Sequence, residues 1–145
     1  MKTSKRLRRG QSIVETVVGI IFLIPIVLFL LDVSVLVMAQ TANDNLAKSA
    51  ARAAASATPG PGQTGTSSAG QAAAQRVLNN FATSSIITSK TMPTFDYDMS
   101  TGNVTVGTQI VVRPPVVFPG FSQFNFNARA TEPIVSIPPT ASTGS

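Results

Sequence analysis

The chain has 145 residues, no cysteine, no histidine and a formal net charge of +5. That length accommodates one modest domain beside a membrane segment. The missing residue types exclude disulfides, thiolate catalysis and cysteine-ligated metals, and leave neither an ordinary neutral-pH proton shuttle nor the usual zinc ligand.

The positive charge is concentrated at one end. Lys2, Lys5, Arg6, Arg8 and Arg9 all precede Gly10, whereas the basic and acidic residues from Gln11 onward cancel. A general basic surface for nucleic acid is therefore not indicated. A basic cluster directly before an apolar run reads as a cytoplasmic flank, held by the positive-inside rule and by anionic lipid. Lys5, Arg6, Arg8 and Arg9 are the residues expected in that role.

Residues 16–39 are dominated by Val, Ile, Leu and Phe, with Asp32 as the one acidic residue. As a helix this stretch is long enough to cross a hydrocarbon core of roughly 30 Å. A retained anchor with its amino end in the cytoplasm fits it best. A secretory signal cleaved after Val37-Met38-Ala39 competes, but the run is long for one and Asp32 interrupts it. Pro25 is expected to kink the helix, because it removes a backbone donor and crowds the preceding turn.

The helix is expected to continue past the membrane. Residues 40–57, QTANDNLAKSAARAAASA, are rich in the best helix former. Ala42, Leu46, Ala50, Ala53, Ala54 and Ala57 form an apolar stripe, with Asn43, Asp44, Lys48 and Arg52 elsewhere around the axis. A Pro/Gly/Ser/Thr-rich linker follows at 58–67. Ser68-Ala69-Gly70-Gln71 has capping-box spacing and opens a second helix to about Thr83, with Ala73, Val77 and Phe81 on its stripe and Ala74 and Leu78 beside it.

After Pro93 the period becomes two. Phe95 and Tyr97 alternate with Asp96 and Asp98, Ser100-Thr101-Gly102-Asn103 is a turn, and Val104 and Val106 lead a strand into Ile110-Val111-Val112. Pro114-Pro115 and Pro119-Gly120 interrupt the chain. A third strand follows, with Phe124, Phe126, Ala128 and Ala130 facing one way and Asn125, Asn127, Arg129 and Thr131 the other. The tail, residues 136–145, has the composition of a disordered segment. The expectation is an α+β fold: a long N-terminal transmembrane and protruding α-helix, a short second helix and a small three-stranded antiparallel β-sheet. The sheet's apolar face would be covered by the Ala-rich stripe and the second helix, making residues 68–135 a small extracytoplasmic domain.

No catalytic arrangement is indicated. Asp96 and Asp98 share a strand face, which is weakly compatible with a cation site, but charged residues there ordinarily solvate an exposed surface. Without histidine a catalytic triad cannot take its usual form, and the glycines lack a strand–glycine–helix context for phosphate. Neither an enzyme activity nor a metal, cofactor or small-molecule substrate is expected.

Glu15 stands at the lip of the apolar run, where an ionised carboxylate is costly. A basic head, Gly10, then Gln11-Ser12-Ile13-Val14-Glu15 before a hydrophobic helix resembles the type IV prepilin cleavage signal. Within that superfamily RRGQSIVE, Pro25, the extension AKSAARAAA, the strand VTVGTQIVV and the closing ARATEP are similar to the TadE-like pseudopilins of the tight-adherence pilus. Thr16 stands where many of those signals carry an aromatic residue.

The resemblance implies residues 1–10 as a leader cut by prepilin peptidase between Gly10 and Gln11, and residues 11–57 as the mature N-terminal helix. It also implies that Glu15 pairs with the new N-terminal amine of a neighbouring subunit. Asp32 is a second assembly candidate, because intramembrane acids usually face protein, although a place near the outer leaflet would also account for it. The implied partners are other pilin or pseudopilin subunits, the pilus assembly machinery and membrane lipid. The implied location is a single pass through a bacterial inner membrane with the C-terminal domain outside, possible incorporation in a pilus following from it. Major subunits of this class are typically much shorter, which favours a minor role. An uncleaved envelope protein whose small β domain binds another envelope component is the alternative. Phe118, Phe121 and Phe124 are open to two readings, an exposed adhesive loop or a small core.

Overall fold

A computed structural model of the chain describes residues 7–58, 66–116 and 122–135. Lys5, Arg6, most of the expected linker, Phe118, Phe121 and the tail lie outside the described residues. The fold is α+β: helix α1 (Leu7–Ala55), helix α2 (Thr66–Asn80), and strands β1 (Ile87–Asp98), β2 (Asn103–Val112) and β3 (Phe124–Pro133). The strands form one antiparallel sheet in the order β1-β2-β3.

Helix α1 extends ~74 Å at 1.5 Å per residue. It runs as one helix through Pro25. The domain packs only on its C-terminal part. There the buried positions are Ala39, Asn43, Leu46, Ala47, Ala50, Ala51, Ala54 and Ala55. This stripe is rotated from the expected one: Ala42, Ala53 and Ala57 are only half-buried, while Asn43 lies inside it rather than elsewhere around the axis. The cause is a helix that contacts both the sheet and α2, so the buried arc is wide, and small side chains allow both neighbours to approach.

Strand β2 is central and supplies the large core side chains, with Val104, Val106, Ile110 and Val112 fully buried by alternation. Helix α2 runs antiparallel to α1 beside the inner face of β1. Its most buried residues are Ala69, Ala74 and Leu78, flanked by half-buried Ala73, Val77 and Phe81. It starts at Thr66, so Ser68 lies inside the helix and is not its N-cap. Gly70 marks its closest approach to α1: a Cβ there would lie 3.1 Å from the Ala54 carbonyl oxygen and 3.1 Å from the Tyr97 ring. Lys90 Nζ donates to the carbonyls of Asn79 (3.0 Å) and Phe81 (2.6 Å), so a β1 side chain caps the C-terminal end of α2.

Strand β1 begins at Ile87, well ahead of the expected start after Pro93. The pairing register shifts between Ile87 and Ser89 and again between Thr91 and Thr94. Pro93 cannot donate to a ladder, and it sits in the second irregularity of an edge strand, where a missing donor is tolerated. β3 instead pairs with β2 in unbroken register from Phe124 to Pro133. Phe124, Phe126, Ala128 and Ala130 are half-buried, and Asn125, Asn127, Arg129 and Thr131 are exposed, as the alternation predicts.

Candidate functional site

The candidate site residues Glu15 and Asp32 lie on α1, one near each end of its apolar part, and Asp32 where that part meets the domain. From Ser12 to Leu31 every side chain is exposed except half-buried Leu28. Eighteen or more such residues in one helix suffice to cross a membrane, and α1 is long and apolar enough to do so. The exposed apolar run Ile13–Leu31 measures ~28 Å along the axis, close to the thickness of a hydrocarbon core.

Glu15 is exposed near the N-terminal end of this run, and Thr16 beside it donates its hydroxyl to the Ser12 carbonyl at 2.9 Å. The backbone from Leu7 through Arg8, Arg9, Gly10 and Gln11 is already helical, so the helix begins ahead of the expected scission point. Glu15 and Asp32 are not brought together. They are separated along the helix by ~26 Å.

Asp32 behaves differently from its neighbours. It is 4% exposed in a segment whose adjacent residues Leu31 and Val33 are exposed. Its Oδ1 accepts a hydrogen bond from the Val116 amide at 3.2 Å, and Oδ2 is buried with no partner among the described residues. Asp32 therefore faces the β2–β3 connection of its own domain. Leu28, Asp32, Leu36, Ala39 and Asn43 follow one another along the domain side of α1 at helical spacing.

One turn beyond Ala39 lies a contact with no counterpart in the sequence-based expectations. Asn43 is fully buried. Its Nδ2 donates to the Phe126 carbonyl at 2.9 Å, and its Oδ1 accepts from Thr108 Oγ1 at 2.9 Å. One amide thereby ties α1 to both β2 and β3 and fixes the axial position of the domain along the helix. Two signals point to it in retrospect. Asn43 lies four residues from both Ala39 and Ala47, and Thr108 occupies an inward position between Val106 and Ile110.

At the far end of the domain Asp98 organises the β1–β2 turn. Its Oδ1 accepts from the Ser100 hydroxyl (2.6 Å) and amide (2.8 Å), and its Oδ2 from the Thr101 hydroxyl (2.9 Å). These bonds, that from the Ser100 hydroxyl foremost, hold its pKa down to about 2. Gly102 completes the turn with φ of +67°. The Asp98 carboxylate is thus engaged by the turn, while Asp96 is exposed on the open face of the sheet. Among the described residues no group of acidic side chains is placed to hold a metal ion. In comparisons with family models, with curated proteins and with solved structures, the chain finds no match.

Proposed function

We propose that this chain is a pseudopilin-type minor subunit, processed after Gly10, that takes part in assembly or priming of a tight-adherence adhesive pilus. In this reading it crosses a bacterial inner membrane once, N-terminus inward, and acts as a structural subunit rather than an enzyme. Prepilin peptidase, neighbouring pilin or pseudopilin subunits and the assembly machinery are its partners. Support comes above all from the division of α1: an exposed apolar rod with a single exposed carboxylate, Glu15, precedes a part clothed by its own domain. Such a rod is suited to lie first in lipid and then among the rods of other subunits.

Scission after Gly10 would leave Gln11 with a free α-amine, charged below a pKa of about 7.7–8.0. Glu15 follows it by ~6 Å along the axis. When rods leave the lipid and bundle, an unpaired carboxylate between them costs several kcal/mol, and a neighbour's amine is the available counter-charge. That pairing sets the stagger between subunits. A cut after Ala39 is disfavoured on packing grounds, since Ala39 is buried in the core cluster that holds Leu46, Ile110 and Val112, in the middle of a continuous helix.

Amino-terminal sequencing of the membrane-bound product is the direct test. Gln11 at the first position supports the proposal, Met1 favours the uncleaved envelope protein, and Gln40 would mean release. A Glu15→Ala chain is expected to be made and processed but left out of the assembled pilus; its normal incorporation would overturn the pairing.

A further inference from the structure

The two sides of α1 leave the apolar run at different heights. On the domain side the run closes at Asp32, which is turned inward onto the Val116 amide. On the opposite side Val33, Val37 and Met38 remain exposed, Met38 at 71%, and the next charged residues are Asp44 and Lys48. We propose that the membrane-side end of the domain is seated in the outer headgroup layer, with the Val33–Val37–Met38 face and the cleft beside it in contact with lipid. This requires that α1 cross the bilayer, but not that the chain join a pilus.

Axial lengths place the boundary. With Glu15 at the inner edge, a hydrocarbon core of ~30 Å ends near Val35 and the headgroup layer beyond it near Gln40. Asp32 then falls just inside the hydrocarbon edge. A carboxylate at that depth faces protein rather than lipid, as Asp32 does. The polar groups on the outward face are also satisfied within the helix. Ser34 Oγ, inside the hydrocarbon edge, donates to the Leu30 carbonyl at 2.9 Å, as an apolar medium demands.

The same level of the molecule carries an open, largely apolar cleft of about 210 Å³ between α1 and the start of β1, lined by Val35, Met38, Ala39, Ala42, Ser84, Ile86 and Ile87. It is continuous with the exposed face of the helix. Arg113 is exposed at this end as well, its amide bonded to the Ile86 carbonyl, at a height where a guanidinium can meet lipid phosphate. A charge-free helix face, an acid folded away from it, an apolar cleft and a cation just above form the sequence of surfaces that a lipid leaflet presents in complement.

The chain contains no tryptophan, so a single introduced one reports its surroundings without background. The full chain carrying Met38→Trp is reconstituted into phosphatidylethanolamine–phosphatidylglycerol vesicles with plain or brominated acyl chains. Val18→Trp serves as the hydrocarbon reference and Ser100→Trp as the water reference. The expected result is blue-shifted emission from Met38→Trp and loss of intensity in brominated vesicles, smaller than for Val18→Trp, with iodide far less effective than at Ser100→Trp. Quenching by iodide as at Ser100→Trp, or by neither agent as in a protein–protein contact, overturns the proposal. An unquenched Val18→Trp would sink the membrane span itself, a distinct failure. Val37→Trp repeats the measurement from the adjacent exposed position should the Met38 variant be poorly folded.

Discussion

The two halves of α1 belong to one helix yet obey different rules. Residues 13–31 carry large apolar side chains that are exposed almost throughout, whereas the buried positions from Ala39 to Ala55 are mostly alanine. Hydrophobicity alone would place the core in the wrong half. The domain core instead combines large side chains from β2 with small ones from α1, because a sheet and a second helix can both approach a helix only where its surface is thin. The large side chains of the first half need an apolar surrounding that the described residues do not provide.

Matched substitutions test that contrast most severely. Ile110→Ala removes a fully buried side chain and should destabilise the domain by about 2–5 kcal/mol, the usual range for core isoleucine truncation. The same change at Ile21, 61% exposed, should leave domain unfolding unaltered. Thermal denaturation in detergent micelles measures both. Equal losses would mean that the apolar rod is part of the domain core after all.

Where the helix is fixed against the sheet, the contrast turns on one amide. Asn43→Ala would leave Thr108 Oγ1 without its amide acceptor and orphan the Phe126 carbonyl, at about 2–3 kcal/mol for buried polar groups losing their partners. A double-mutant cycle with Thr108→Val should show coupling between the two sites, whereas independent effects would rule out a shared network. A smaller effect is expected at the border between the halves. Asp32→Ala strips the Val116 amide of its acceptor at about 1 kcal/mol, while Asp32→Asn keeps an acceptor and should be nearly neutral. Hydrogen exchange at the Val116 amide should speed up in the first variant and not in the second.

The strands were legible where a period of two coincides with one apolar face, as in Val104–Val112 and Phe124–Ala130. The first half of β1 was not, because Thr88, Ser89, Lys90 and Thr91 carry no apolar alternation and Pro93 reads as a break. An irregular edge strand tolerates all of these. Alanine-rich helices pose the opposite problem. With alanine at 50, 51, 53, 54, 55 and 57, more than one helical face looks apolar, and only the neighbours in the fold select the buried one. The apolar stripe puts Asn43 elsewhere around the axis, and its partners on distant strands leave no local trace. At the candidate site, the position of Glu15 on an exposed apolar rod follows from the sequence. The orientation of Asp32 does not, since its acceptor role depends on a backbone amide 84 residues away.

The smallest expected effect lies farthest from the apolar half, at the β1–β2 turn. Asp98 has its pKa lowered from 3.8 to about 2 by hydrogen bonds that only the folded turn supplies. A lowered folded-state pKa means that the unfolded chain takes up the proton first. The stabilisation is therefore fully present above the unfolded value and is lost as pH falls through the window from 3.8 to about 2. Asp98→Asn should remove this site's contribution to acid sensitivity while preserving an acceptor for the Ser100 amide. Acid titration of the domain followed by circular dichroism, wild type against variant, should show a shallower decline for the variant across that window. Identical curves would mean that the turn retains its hydrogen bonds when Asp98 is protonated.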